Sequence, residues 1–530
     1  MPLTTADLAL SALRGAYASG ATTPSAVCRE LLPATAASQG VFISRPSEDE
    51  VLERCRLLEG QPMEQRGVLW GIPFAVKDNI DVAGQPTTAA CPDFKYLAES
   101  NARAVQPLLD AGGIFLGKTN LDQFACGLVG TRTPYGSPAN AFDDRFTPGG
   151  SSCGSAVAVA GGLCSFALGT DTAGSGRVPA GNNGIVGIKP SVGRFSTAGV
   201  VPACYLLDCV SVFALSVEDG AEVARLMENS DIADATYRLP IASNLAKRYT
   251  PAAAFRFAVP GPHFLDGSFE GPGGESVRQA MQAAWAEAVQ RLEALGGQAV
   301  ADFDFAPFAE TAVLLYGAAF VAERYAGIRS FLESRAAQPL AAGQLASIHE
   351  DERMLKVIRS IISKTEGFSA ADVFDGLQKL NTLRGRCRAQ LAKIDVLVVP
   401  TSAYNYTVQE IQAEEEEPPY EDVSFGKNAN LGRWTNFVNL QDMCGVSVFS
   451  GILRPTAAAG DAATTGPEQQ RRQELLAATG NPSPVLPFGI TLLAPSWTDE
   501  YVAGIAAAFE KASGLQAGPR GHGVTPYTTP

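Results

Sequence analysis

Residues 140–179 read NAFDDRFTPGGSSCGSAVAVAGGLCSFALGTDTAGSGRVP. Two Gly/Ser-rich corners, Gly149–Ser155 and Thr170–Arg177, bracket a small-residue run and a short apolar run. From Ser152 the run SCGSAVAVAGG is rich in Ala, with serines placed to cap a first helical turn. Leu163–Leu168 is apolar, ends abruptly at Gly169 and predicts a short buried strand. A helix and a strand joined in this way bring the two corners together, each presenting serine hydroxyls and backbone N–H groups. Such an arrangement is able to hold a nucleophile and the oxyanion that its attack creates. Gly/Ser corners are also ordinary turns, and the first corner alone says little. The second says more: Asp171 and Arg177 flank Thr-Ala-Gly-Ser-Gly, so an ion pair between them would brace a glycine-rich loop and fix Ser175 at its apex.

Outward from this stretch, composition fits one large α/β core. The chain has 530 residues, 46% of them apolar, with 53 glycines and no evident linker before residue 400. A formal charge of −14 argues against a nucleic-acid partner, which would want a basic face. There is no run of apolar residues long enough to span a membrane. The N-terminal segment MPLTTADLALSALRGAYASG has no basic leader region and reads as an amphipathic helix capped at Thr4 or Thr5. Ten cysteines occur without a CxxC pair and read as reduced thiols, which places the chain in the cytoplasm.

In chain order, helices are expected over 5–19, 24–37 and 48–59, and an apolar strand over Val68–Lys77 (VLWGIPFAVK). Alternating strands and helices follow through 214–300, then helices over Leu314–Leu332, Asp351–Lys364 and 369–393. Ile394–Pro400 reads as a buried strand, Glu414–Glu417 as an exposed acidic loop, and Gly445–Leu453 with Val485–Leu493 as two hairpin strands. The Ala/Gly/Thr/Gln-rich stretch 454–484 between them reads as a mobile insertion. No internal repeat is visible.

Three residue patterns bear on chemistry. Gly112, Gly117, Lys118 and Thr119 satisfy the phosphate-loop spacing, but that motif needs a strand before its first glycine and a loop between the glycines. Here a helix precedes Gly112 and Gly113–Leu116 itself reads as strand, which argues against nucleotide binding. His263, His349 and His522 are far apart and in no motif, so neither a Ser-His-Asp triad nor a metal centre is indicated. If serines do chemistry here the base is another residue, and Lys77 is the best candidate. A lysine ending a buried strand is commonly a snorkelling surface residue, but one forced into apolar surroundings loses its proton more readily.

Lys77 in GIPFAVKDN, Ser151 in PGGSSCGSA and Ser175 in GTDTAGSGRVPA, in this order and spacing, resemble the amidase signature family. The resemblance runs from the first helix to LPFGITLLAPSWTDEY (486–501). Within the family the chain looks most like the allophanate hydrolases, through TNLDQFACGLVGTRTPYG (119–136), GVVPACYLLDCVSVFAL (199–215) and LGRWTNFVNLQD (431–442). The resemblance implies an α/β/α sandwich around a large mixed sheet, with an amidase domain over 1–515, a tail over 516–530 and no additional C-terminal domain. It implies Ser175 as nucleophile, Ser151 as bridging serine after a cis peptide bond, and Lys77 as neutral base. Backbone N–H groups of Thr172, Ala173, Gly174 and Ser175 would receive the oxyanion. No cofactor or metal is implied.

The implied reaction hydrolyses allophanate (urea-1-carboxylate) to ammonia and N-carboxycarbamate or carbon dioxide, in urea degradation. Urea carboxylase is the implied functional partner and a homodimer the implied assembly. Tyr316 and Arg324, in LLYGAAFVAERYAG, match positions that bind this substrate. As residues of one straight helix they would lie about 12 Å apart along its axis, so joint action on one small molecule needs a bend or long reach. Arg177 and Arg132 are competing cations, Arg177 being the expected partner of Asp171. Cys153 stands where the family commonly has serine. Many allophanate hydrolases carry a further C-terminal domain that helps decompose the product, so here that step is expected elsewhere, spontaneously, or not at all. The alternatives are another small-molecule amidase, the amidase subunit of a tRNA-dependent amidotransferase, or a non-catalytic scaffold; intact Lys77, Ser151 and Ser175 argue against the last.

Overall fold

The computed structural model describes residues 4, 6–228, 231–242, 244, 254–266, 274–334, 347–416, 426–453 and 485–519. The stretch 454–484, expected to be an insertion, His522 and most of the 516–530 tail lie outside the described residues.

Among the described residues, eleven strands form one mixed sheet. In chain order these are β1 (Phe42–Ser44), β2 (Pro73–Lys77), β3 (Ile114–Thr119), β4 (Phe166–Asp171), β5 (Val186–Lys189), β6 (Cys209–Ala214), β7 (Phe255–Ala258), β8 (Gly297–Ala299), β9 (Val396–Pro400), β10 (Met443–Leu453) and β11 (Leu486–Pro495). Across the sheet they follow the order β1-β3-β2-β4-β6-β5-β10-β11-β9-β7-β8. Strands β3, β2 and β4 run parallel, as do β9, β7 and β8, while the strands between β4 and β9 alternate in direction. The expected α/β fold around a large mixed sheet is the one observed.

The local signals explain much of this. Pro24–Ala37 starts with proline in its first turn and with the Thr23 hydroxyl accepting from Ala26 N–H. Glu48–Glu59 starts with a full capping box between Ser47 and Glu50. Cys153–Ala160 is buried on all sides, so its Ala, Val and Ser content is what lets it lie inside the molecule. Its serines do not cap it. The Ser152 hydroxyl instead donates to Thr170 O at 3.2 Å and accepts from Thr170 N at 3.3 Å, and the Ser155 hydroxyl donates to Leu168 O at 2.9 Å. The helix is stitched to β4 rather than terminated.

Several boundaries differ from expectation. β4 begins later and runs past Gly169 to Asp171, because β6 pairs with it continuously from Phe166↔Ala214 to Asp171↔Cys209. β2 begins at Pro73, the residues before it being spent in turns. The helix expected over Leu314–Leu332 is three helices, Ala306–Gly317, Ala322–Gly327 and Arg329–Glu333, with a 3-10 turn over Ala319–Val321. The break follows from Ala318, whose backbone is extended. The acidic run is the end of a helix, Val408–Glu416; Glu414 and Glu415 are half-buried and ion-paired to Lys427 and Arg132, and Glu417 lies outside the described residues. β10 and β11 pair antiparallel from Met443↔Pro495 to Leu453↔Leu486, as the hairpin reading requires.

All ten cysteines are buried free thiols. Among the described residues, no helix is long and apolar enough to cross a membrane. Lys118 does not face a phosphate site. It is buried with its amine donating to Pro86 O at 3.0 Å and Thr87 Oγ1 at 2.9 Å, beside the Asp78 carboxylate at 3.4 Å.

Candidate active site

Lys77 ends β2, and the register of the parallel pair places it beside the end of β4. Its Nζ donates to Ser151 Oγ at 2.8 Å and to Thr170 Oγ1 at 2.7 Å. The side chain is fully buried, and among the described residues no carboxylate forms an ion pair with it. Burial therefore lowers its ammonium to about 7, against the opposing influence of Cys153, Asp122, Asp208 and Asp171. An amine of that kind is free of its proton for much of the time at neutral pH.

Ser151 follows a cis peptide bond from Gly150. Its carbonyl accepts from Asp122 N–H at 3.0 Å, and the Asp122 carboxylate in turn accepts from Gly130 N at 3.1 Å and Arg132 N at 2.9 Å. A Cβ on Gly150 would strike the Asp122 carboxylate, so glycine here is a matter of space.

The second corner is held as the sequence suggested. Arg177 Nε and NH2 each donate to the buried Asp171 carboxylate at 2.9 Å. Burial alone would raise the Asp171 carboxyl, but Arg177, Lys189 and the Gly176 N–H together hold it below the usual carboxylate range. The far side of the loop is clamped by the Thr172 hydroxyl donating to Asp208 and by Asn439 Nδ2 donating to Asp171 O at 2.8 Å.

Of the expected oxyanion donors, one is otherwise engaged. Gly174 N–H donates to Asp171 Oδ1 at 2.9 Å and is thereby committed to the brace. The N–H groups of Thr172, Ala173 and Ser175 have no protein acceptor among the described residues. Ser175 is buried beside these groups, and among the described residues its hydroxyl has no hydrogen-bond partner. Ser175 thus sits just beyond the carboxyl end of β4, while Ser151 is bonded directly to Lys77 at the carboxyl end of the adjacent parallel strand. Hydrogen bonds of this kind commonly close only once substrate is bound.

The broken helix settles how Tyr316 and Arg324 meet. With the chain turned at Ala318, Arg324 NH2 donates to Tyr316 Oη at 2.7 Å, and the guanidinium lies 4.7 Å from the centroid of the Tyr316 ring. Arg324 NH1 donates to Cys126 Sγ at 3.2 Å. Among the described residues, the buried Nε of Arg324 has no hydrogen-bond partner and no carboxylate pairs with the guanidinium. The rival cations are engaged: Arg177 with Asp171, and Arg132 with Glu415 at 2.7 Å and Cys126 O at 3.0 Å. Tyr316 packs in the same apolar cluster as Ala173, Cys204 and Leu207, which carries the Arg324 region to the loop that holds Ser175.

Thr170, Asp122, Asn439 and Cys126 touch this machinery without having been singled out. Thr170 lies in the decisive stretch, but reading it as corner rather than strand hid its contact with Lys77.

A lysine-bonded serine and a second serine on a braced loop with unclaimed N–H groups therefore lie at the carboxyl ends of two adjacent parallel strands. Residues 35–502 match the Amidase family model, and the chain belongs to that family of hydrolases acting on C–N bonds. It is similar to urea amidolyase of Saccharomyces cerevisiae, 40% identical over 411 residues that cover 78% of this chain and 20% of that protein. The chain thus spans about a fifth of the length of that urea amidolyase. Allophanate hydrolase of Kluyveromyces lactis superposes with a TM-score of 0.78 at 32% identity, over 96% of this chain and 74% of that one. A glutamyl-tRNA(Gln) amidotransferase subunit from Chlorobium luteolum is 34% identical over 74% of this chain and 82% of its own length.

Proposed function

We propose that the chain hydrolyses allophanate to ammonia and N-carboxycarbamate through Ser175, Ser151 and Lys77. The observation that carries the substrate is Arg324, next to the nucleophile loop: a buried guanidinium whose Nε has no partner, and which no carboxylate joins, among the described residues. Burial penalises this cation, the Asp208 carboxylate favours it without forming an ion pair, and a small anionic substrate would supply the missing direct partner.

Neutral Lys77 accepts a proton from Ser151, which accepts one from Ser175 as its Oγ attacks the terminal carboxamide carbon. The carbonyl electron pair moves onto oxygen, which the N–H groups of Thr172, Ala173 and Ser175 receive. Collapse expels ammonia, which takes the proton returned from Lys77 through Ser151. Water then attacks the acyl ester, its proton passing along the same path, and N-carboxycarbamate departs with Ser175 restored. In this reading Tyr316 and Arg324 hold the substrate carboxylate, and urea carboxylase supplies the substrate in urea degradation.

Ammonia release from allophanate, malonamate, biuret and glutamine tests it. Allophanate is expected to be preferred. Arg324→Gln is expected to lose about 30- to 150-fold in kcat/KM on allophanate, the worth of a charge-assisted contact, and far less on biuret. Equal losses on both amides would mean that Arg324 only holds the helices together. A preference for glutamine would instead point to a component of an amidotransferase, as the Chlorobium luteolum relative is named.

A further inference from the structure

The acceptors that orient Arg324 are a phenol and a thiol, Tyr316 Oη at 2.7 Å and Cys126 Sγ at 3.2 Å. Neither carries the fixed negative charge of a carboxylate. Their placement does two things at once: it directs a planar, five-donor group and leaves it outside any ion pair among the described residues, the Asp208 carboxylate acting on it only at longer range. We infer that Cys126 is a specificity-determining residue, whose thiol aims the Arg324 guanidinium at the substrate anion without discharging it. This rests on the reading in which Arg324 receives the carboxylate.

The backbone around Cys126 is built to fix that sulfur. Phe124 and Ala125 adopt φ of 51° and 54°, left-handed values that side-chain-bearing residues seldom take. Consecutive residues of this kind persist only where their surroundings hold them, and they cluster at functional sites. Here Gln123 N donates to Arg132 O at 2.7 Å, Phe124 N to Ala89 O at 2.9 Å and Cys126 N to Gln123 O at 3.1 Å. The Cys126 carbonyl is held in turn by Arg132 NH1 at 3.0 Å. At its other end the same turn supplies Asp122 N–H to Ser151 O at 3.0 Å, so one rigid segment places both the bridging serine and the anion-receiving cation. The carboxylate whose charge reaches Arg324, Asp208, is itself held by the Thr172 hydroxyl, by Ala203 N at 2.9 Å and by Cys204 N at 3.1 Å.

A carboxylate at position 126 would take the place of the substrate anion. The test compares kcat and KM on allophanate and on uncharged biuret for the wild type, Cys126→Ser, Cys126→Ala, Cys126→Asp and Arg324→Gln. Serine keeps a short polar acceptor and is expected to retain most of the preference for allophanate. Alanine is expected to reduce the allophanate-to-biuret ratio about tenfold, through KM rather than kcat, the scale of one lost hydrogen bond to a charged group. Aspartate is expected to reduce it by about 30-fold or more, since it pairs with Arg324 directly. Should the buried aspartate prevent folding, as judged by circular dichroism, the Ala and Ser variants carry the test alone. Ratios in the folded variants equal to wild type, with Arg324→Gln still collapsing the ratio, would overturn the inference and leave the substrate reading standing. An unchanged ratio in Arg324→Gln would overturn both.

Discussion

Lys77 reaches its two hydroxyl partners from inside the protein, so its protonation is governed by the absence of water rather than by a neighbouring charge. In the proposed mechanism the neutral amine is the active form, and burial lowers its value to about 7. The kcat/KM of the wild type is therefore expected to rise with pH through about 7 and then level off. A profile still rising at pH 9 would indicate a lysine of ordinary basicity and remove it as the base. Ser175→Ala is expected to lose essentially all turnover while staying folded, because the hydroxyl has no hydrogen bond to lose among the described residues. Near-wild-type ammonia release would exclude Ser175 as nucleophile. Ser151→Ala is expected to keep more activity, since water is able to occupy the gap beside Lys77. These three residues were legible in the sequence because each sits in a tight motif with its own physical oddity: a buried-strand lysine and two Gly-rich corners. Tyr316 and Arg324 were legible only through resemblance. Thr170 and Cys126 were not legible at all, being small, uncharged and in contact with residues distant in sequence.

At the scale of elements, the nucleophile loop is a short connection whose shape is imposed from outside. Gly174 adopts φ of 131°, and a Cβ there would strike the buried side chain of Thr435. Gly84 also has a left-handed φ, of 74°, but open space around it. Gly84→Ala is thus expected to cost only the backbone preference, about 1 kcal/mol in thermal or denaturant unfolding. Gly174→Ala is expected to cost more stability than that and to lower kcat by at least about tenfold, because the loop must shift along with Ser175. Thr435→Ala placed on top of Gly174→Ala should recover part of the loss. Equal effects of the two glycine changes would mean that Thr435 does not shape the loop. Elements with caps and strong periodicity, such as Pro24–Ala37 and Glu48–Glu59, were readable to the residue. Leu314–Leu332 was not, since the one local mark of its break is Gly317, a single glycine just before the extended Ala318 in an otherwise helical pattern. That single break is what brings Arg324 onto Tyr316, so the sequence could name the pair without explaining their contact.

Across the whole molecule, the sheet order interleaves early and late strands, with β10 and β11 lying between β5 and β9. The helix Asp499–Ser513 ties late elements to a helix from the middle of the chain: it packs on β10, and Glu510 Oε2 accepts from Val217 N at 2.9 Å, at the start of the helix Val217–Leu226. Burial, with Asp219 and Glu218 nearby, raises the Glu510 carboxyl from 4.5 to about 7 despite that hydrogen bond. Folding therefore binds this proton more tightly than the unfolded chain does. The contribution of Glu510 to stability is complete below its unfolded value and is lost as pH rises through about 7. Glu510→Gln keeps an oxygen for Val217 N–H and has no charge to desolvate. It is expected to flatten the fall in stability between pH 5 and pH 8 and to be more stable than wild type at pH 8 by about 1–3 kcal/mol. Denaturant unfolding of both proteins at pH 5, 6, 7 and 8, with unchanged slope against denaturant, measures this. Parallel pH profiles would show that the carboxyl opens to water at no cost. The helix would then be held to the sheet and to Val217–Leu226 by its apolar face alone, through Val502, Ile505, Ala506 and Phe509.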